Sequence, residues 1–497
     1  MSTLTPDHPP ARGSEPAPTA AEPSGTALTG GAIGTFDLVF FVVAAAAPLT
    51  AVAGVAPAAI AMGGRGTPLG YLVSGALLAL FAAGFTAMSL YVRNAGAFYA
   101  YVARGLGRAV GVGTAYVAVL SYNLVEIGLC ACFGVFAAGG VEDLTGVSVP
   151  WWGCTLVCIA GVAVLGWLKV TLSAKVLGTA LVLEVLVLLV LDAGVLGHRG
   201  TAAMDVSALD PTSLGGGGAA GMFLLAIGAF TGFEATAIYA EEARDPRRTV
   251  PRATFIAVGF LALFYAFAVW VMMGGFGIDE SVRIAGGPNG SDMVFDAAHR
   301  FVGTWLADTM HVLIITSAFA ATLAFHNAAA RYMYALGREG LLPRRLASVS
   351  PRTGSPSAAV VVQSLLALAV VAVGALAKAD PYLVVFLWPN GTGVMGIMLM
   401  QALAALAVFA FFRKDRRGMS ALRVVWAPLL SFLGLGAFSV YAALRFGLLT
   451  GASDAVDTGL LLPLPVVFVI GLLVARRIRR ADPERYEQLT NTDAERD

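Results

Sequence analysis

Three carboxylates, Glu126, Glu184 and Glu234, and one imidazole, His326, each lie inside a long apolar run of the sequence. An acid far from water costs several kcal/mol unless it is protonated, paired or hydrated, so such groups suit the holding of a proton or a cation. Bond-breaking chemistry finds no support. No nucleophile, base and metal-ligand set is clustered, no Gly-x-x-x-x-Gly-Lys phosphate loop is present, and no Cys/His spacing suits a metal. Cys130, Cys132, Cys154 and Cys158 all fall in apolar runs and read as small apolar fillers, although Cys154 and Cys158 share a helix face. No loop or tail is long enough to fold as a soluble output domain, which argues against a sensor.

The elements that must position these residues are membrane helices. Of the 497 residues, 58% are apolar and only 13% charged, more hydrophobic surface than a soluble core absorbs, so the bilayer is the solvent. Runs long enough to cross roughly 30 Å of hydrocarbon lie at 34–62, 68–91, 110–138, 151–168, 176–196 and 220–240, then at 253–276, 305–334, 357–376, 381–412, 424–446 and 459–475. These are spans 1 to 12. One set of alternate loops holds Arg93 to Arg108, Lys169 and Lys175, Arg244 to Arg252, Arg331 to Arg352, Arg413 to Arg423 and Arg476 to Arg480. The other set has only Arg65, Arg199, Arg283, Arg300, Lys378 and Arg445, several beside acids. That bias places both termini on the cytoplasmic side of the inner (plasma) membrane. Residues 1–30 are rich in Pro, Ala, Ser and Thr without a signal-peptide pattern, and read as a disordered cytoplasmic tail; residues 479–497 read as a solvated one.

Two spans are interrupted at matched depth. In span 1, Pro48 removes a backbone donor beside Thr50, Ala51 and Gly54; in span 6, Gly228 and Gly232 flank Ala229, Phe230 and Thr231 ahead of Glu234. Pro and Gly also kink packed helices, but paired breaks in two halves of a chain point to a midplane binding site, where freed N–H and C=O groups hold a ligand.

Four stretches resemble the amino acid, polyamine and organocation transporter superfamily, in particular its bacterial amino acid permeases. They are Arg93-Asn94-Ala95-Gly96-Ala97-Phe98-Tyr99-Ala100-Tyr101 with Gly105 to Arg108; Gly232-Phe233-Glu234 with Glu241 to Pro246 and Thr249 to Ala253; Arg331 to Pro343; and Ser173-Ala174-Lys175-Val176. The resemblance spans about 34–412. It implies an all-α membrane protein of about twelve spans with a leucine-transporter-like fold, built as inverted five-span repeats over about 31–197 and 218–413, with spans 11 and 12 (414–478) outside this core. It also implies secondary active transport of an amino acid or related amine by alternating access, with protons as the common coupling ion, no organic cofactor and no nucleic-acid partner.

In such a fold the second half of span 1 begins near Thr50 to Gly54 and aims its N–H groups at a substrate carboxylate, while carbonyls at Ala229, Phe230 and Thr231 face its ammonium group. Phe230 and Phe233 either wall the cavity or pack; relatives often carry an aromatic gate where this chain has Gly228. Glu234 has two readings, a helix cap or a coupling or gating acid. Glu184 falls where some proton-coupled relatives carry a lysine, so the charge is reversed; it binds a cation, shuttles a proton or is simply hydrogen-bonded. Glu126 either meets a substrate amine or satisfies Asn123, and His326 either follows pH or bonds a neighbour. Asp37 and Arg331, near cytoplasmic span ends, read as snorkelling charges.

Overall fold

The computed structural model describes residues 34–92, 98–168, 174–234, 236 and 243–489. The tail expected over 1–30 lies outside the described residues, as do Arg93 to Ala97, Ser173, Glu241, Glu242 and 490–497. Nine helical stretches among the described residues are long and apolar enough to cross a bilayer, and the first, Thr35–Met88, carries both span 1 and span 2. Trp151–Trp167 (span 4) and Ala219–Gly228 (span 6) are shorter apolar helices. The others are Arg108–Thr145 (span 3), Gly178–Ala203 (span 5), Arg247–Phe276 (span 7), Thr304–Arg338 (span 8), Ser357–Leu376 (span 9), Pro381–Phe412 (span 10), Leu422–Leu444 (span 11) and Asp454–Ala481 (span 12). Each of the twelve apolar runs thus contains helix, as a bilayer requires, since a helix satisfies its backbone groups within one segment. The chain is an all-α membrane protein.

Span 3 is the axis of the bundle, packing against spans 4, 8, 10 and 12. Small residues allow the close approach. A Cβ added at Gly393 of span 10 would lie 2.7 Å from the Ser121 carbonyl oxygen and 2.9 Å from the Val125 nitrogen, and one at Gly471 of span 12 would lie 2.7 Å from Gly113 Cα. Within their most apolar windows, 78% of Thr35–Met88 is buried but only 17% of Asp454–Ala481, so spans 1 and 2 form the interior and span 12 the lipid face. Residues such as Leu263, Leu376 and Val440 turn outward from spans 7, 9 and 11 in the same way.

Loops expected on one face meet one another. Arg65, between spans 1 and 2, forms an ion pair with Asp279 beyond span 7, and Asp143 at the end of span 3 lies 3.2 Å from His311 near the start of span 8. On the opposite face, the Tyr99 hydroxyl is 3.4 Å from Glu339 at the end of span 8. The exposed Arg65–Asp279 pair adds little stability; all three contacts report which loops are neighbours.

Three expectations need correction. Phe98–Leu106, read as loop, is a helix whose Phe98, Tyr99 and Tyr101 are buried and whose Arg104 is exposed. Thr249 to Arg252, read as loop ahead of span 7, are early turns of the helix Pro246–Phe276, which the Asp245 side chain caps by accepting the Arg247 N–H; Pro251 lies inside this helix and leaves the Arg247 carbonyl without its i+4 donor. The C-terminal tail is docked as far as Leu489. Arg485 donates to the carbonyls of Glu339 and Gly340, Arg108 donates to the Leu489 carbonyl, and Leu489 is buried, so the tail caps the exposed carbonyl end of span 8. Asp37 is exposed as expected and accepts the Gly34 N–H at 2.9 Å.

The span 3 to span 10 approach gives a stability test. Gly393→Ala places a methyl against backbone that cannot move aside, and should cost about 1–3 kcal/mol of overpacking. Gly259→Ala, whose added Cβ meets nothing within 4 Å, should leave the melting temperature of the detergent-solubilised protein unchanged or slightly raised, whereas Gly393→Ala lowers it.

Candidate functional site

Span 1 stops as a helix at Ala46 and turns at Ala47, whose φ of 47° and ψ of 73° are left-handed. The cause is local. A residue before proline is pushed out of the right-handed helical region, and Pro48, with no N–H to satisfy and its φ preset, restarts the helix at once. The second half therefore begins at Pro48 and not near Thr50 to Gly54 as expected; Thr50–Val55 continues it as a π-helix and Ala56–Gly63 as an α-helix. Its first free N–H, on Leu49, donates to Glu184 Oε2 at 3.2 Å. Ser317 Oγ of span 8 donates to the same oxygen at 2.8 Å, and Thr50 Oγ1 donates to Ser317 Oγ at 2.9 Å. Glu184, Thr50 and Ser317 are all buried, and they tie spans 1, 5 and 8 together. On the other side of the break, Tyr265 of span 7 donates its hydroxyl to the Ala46 carbonyl at 3.3 Å.

Span 6 is helical to Gly228 and then runs through turns from Ala229 to Glu234. Gly232 has φ 111°, a conformation that glycine adopts without strain. Its missing side chain matters twice, because a Cβ there would lie 3.1 Å from Ala45 Cβ and 3.6 Å from the Ala46 nitrogen. The two breaks are therefore in contact. Among the described residues, the carbonyls of Ala229 and Thr231 accept no hydrogen bond, while that of Phe230 accepts the Phe233 N–H at 3.4 Å. Glu234 accepts the Gly232 N–H on Oε2 at 2.9 Å and the Tyr122 hydroxyl on Oε1 at 2.8 Å, so both its oxygens are engaged, one by span 3. Phe230 packs edge-on to Tyr265 and Phe233 edge-on to Phe81, both fully buried. Gly54 is covered by Phe136 and Cys132, and its carbonyl accepts the Tyr382 hydroxyl of span 10 at 2.9 Å.

Glu126 and His326 form a separate pair. His326 Nδ1 lies 3.1 Å from Glu126 Oε1 across the interface of spans 3 and 8, with both side chains wholly buried, and Cys130 Sγ is 3.6 Å from the same oxygen. Asn123 donates to the Val119 carbonyl at 2.6 Å, so Glu126 serves His326 and not Asn123. Glu126 Oε2 and His326 Nε2 have no hydrogen-bond partner; the imidazole edge faces Gly166 of span 4, where a Cβ would sit 3.1 Å from Nε2. All four cysteines are free thiols, and among the described residues no group of His, Cys, Asp and Glu could hold a metal ion.

The candidate coupling or gating residues thus fall into two sets, Glu184 and Glu234 at the breaks and Glu126 with His326 apart. Sequence reasoning missed Ser317, Tyr265 and Tyr382, whose polar tips inside apolar runs were the available signal, and Asp192, a buried acid in span 5 with an unpartnered oxygen. Chemically, the breaks offer backbone acceptors and carboxylates on one side and a capped helix N-terminus on the other, with nothing that cleaves a bond.

Comparison with known proteins identifies the family. The family described as amino acid permease matches residues 37–483. An uncharacterized transporter of Mycobacterium tuberculosis (strain ATCC 25618 / H37Rv) is 28% identical over 327 residues, covering 64% of this chain and 69% of the relative. A second uncharacterized transporter of the same strain is 28% identical over 316 residues, covering 58% and 63%. The low-affinity putrescine importer PlaP of Escherichia coli (strain K12) is 24% identical over 312 residues, covering 60% and 66%. A multi-pass helical chain with two opposed helix breaks, matched over nearly its whole length, belongs to the amino acid permease family and is a transporter, not an enzyme.

Proposed function

We propose that this protein is a secondary active transporter that imports an amino acid, by proton symport with alternating access. The observation that carries this reading is the contact of the two helix breaks, with Gly232 against Ala45 and Ala46. Backbone groups are free to act on a ligand only where helices are broken, and two breaks face to face put an N-terminal and a C-terminal half-helix end in one place. The carbonyls of Ala229 and Thr231 take the substrate's ammonium group; Pro48 to Gly54 present the half-helix that receives its carboxylate. Spans 1 to 5 and 6 to 10 act as the inverted repeats, with spans 11 and 12 outside them, and the basic loops keep both termini cytoplasmic at the inner membrane.

A second reading, uptake of a diamine or polyamine, is favoured by one observation. Glu184 already occupies the Leu49 N–H, the first donor a substrate carboxylate would use. A diamine brings no carboxylate to compete for it and would be drawn to Glu184 and Glu234. The relative named as a putrescine importer fits the same reading.

Thermal-shift screening of the purified protein against the twenty amino acids, common polyamines and small amines separates the two, since a ligand that binds the folded form raises its melting temperature. Stabilisation by an α-amino acid that vanishes on esterification supports the first reading; stabilisation by diamines alone supports the second, and no hit in either class counts against both. For coupling, Glu234→Gln should impair proton-driven accumulation in vesicles more than it weakens binding, and unchanged accumulation would remove Glu234 from the mechanism. The Glu126–His326 pair predicts a thermodynamic asymmetry: Glu126→Leu alone should cost about 3–5 kcal/mol because it orphans a buried partner, while Glu126→Leu with His326→Leu recovers most of that stability. The double variant should still lose proton-driven accumulation; retention of it would make the pair purely structural.

A further inference from the structure

Away from the breaks, spans 10, 11 and 12 line an open cavity of about 860 Å³, within the roughly 300–1,000 Å³ range of ligand sites. Its walls are mainly apolar, with Leu399 from span 10, Leu444 from span 11 and Leu462 from span 12. Leu444 and Leu462 are 77% and 53% exposed on membrane-crossing segments, so the cavity opens toward the acyl chains of the bilayer.

Its lining also carries charge. Arg445, which follows the last residue of span 11, and Asp454, which begins span 12, both line this one cavity. Among the described residues neither forms an ion pair. A third charged residue of the lining, Asp457, is already engaged, accepting the Thr450 hydroxyl at 2.5 Å. Taken singly, Arg445 is a snorkelling cation and Asp454 a first-turn acid that favours its helix dipole. Neither account explains why a cation and an anion share one mainly apolar cavity without pairing with each other. A ligand that carries both charges fills that gap.

We propose that this cavity binds an aminophospholipid. The acyl chains lie along Leu399, Leu444 and Leu462, the phosphate accepts from the Arg445 guanidinium, and the headgroup's primary ammonium donates to Asp454. The planar guanidinium fork matches phosphate oxygens. A primary ammonium has three N–H donors for a carboxylate, whereas a choline headgroup has none and a glycerol headgroup has no cation. The inference does not depend on which solute the protein carries.

The test uses the full chain in detergent with phosphatidylethanolamine, phosphatidylcholine or phosphatidylglycerol added at equal mole fraction. The melting temperature should rise most with phosphatidylethanolamine. Arg445→Gln and Asp454→Asn should each weaken its apparent affinity about tenfold, the scale of one lost charge-assisted hydrogen bond. Should either variant melt lower without lipid, counting the phosphatidylethanolamine molecules retained in native mass spectrometry decides instead, with fewer expected than on the wild type. Equal stabilisation by phosphatidylcholine, a full lipid response in both variants, or a lipid-free dimer seated on this face would each overturn the proposal. Competition by glycerophosphoethanolamine, which has the headgroup and no chains, at matching concentration would assign the cavity to a soluble zwitterion and overturn the lipid reading as well.

Discussion

The rest of the structure depends on one constraint: in hydrocarbon a backbone N–H or C=O has no water to fall back on, so each needs a partner inside the protein or on a bound ligand. An unbroken helix meets that demand by itself. A broken one hands it to its neighbours, and here the neighbours are identifiable. Glu184 takes the Leu49 N–H, Tyr265 serves the Ala46 carbonyl, Tyr382 serves the Gly54 carbonyl, and Glu234 takes the Gly232 N–H. These four side chains come from spans 5, 7, 10 and 6, which is why two short irregular stretches require a bundle of many helices around them.

The same constraint explains where charge is tolerated. Glu184 and Glu234 are not stray acids in a membrane; each receives two donors, and each ties its break to another span, through Ser317 of span 8 or Tyr122 of span 3. Protonating Glu234 would compete with a donor on either oxygen, so its charge state and the geometry of the span 6 break are linked. Glu126 and His326 differ in kind. They pair with each other across spans 3 and 8 and leave Oε2 and Nε2 unengaged, whereas the two acids at the breaks are held by backbone and hydroxyl donors.

How much of this was legible in the sequence depends on the range of the interaction. The span 1 break was legible because Pro48 acts on its immediate neighbours, and the span 6 break because Gly232 permits a backbone angle other residues resist; the restart at Pro48 was also a local matter, since a proline that lacks an N–H and has its φ preset can open a helix as well as end one. Partnerships were not legible. Leu49 with Glu184 and Glu126 with His326 join positions 135 and 200 residues apart, and only the packing of spans 1, 5 and 8, and of 3 and 8, brings them together. The docked tail illustrates the same limit, since nothing local in a charged segment announces that Leu489 is buried and Arg485 reaches the carbonyls that end span 8.

The central claim is that the two breaks form one substrate site. A structure determined with the transported solute bound tests it most directly: the account predicts the solute between the Ala46–Thr50 and Ala229–Gly232 segments, with its ammonium group within hydrogen-bond distance of the Ala229 or Thr231 carbonyl. A solute held elsewhere, with the contact between Gly232 and Ala45 intact, would contradict it.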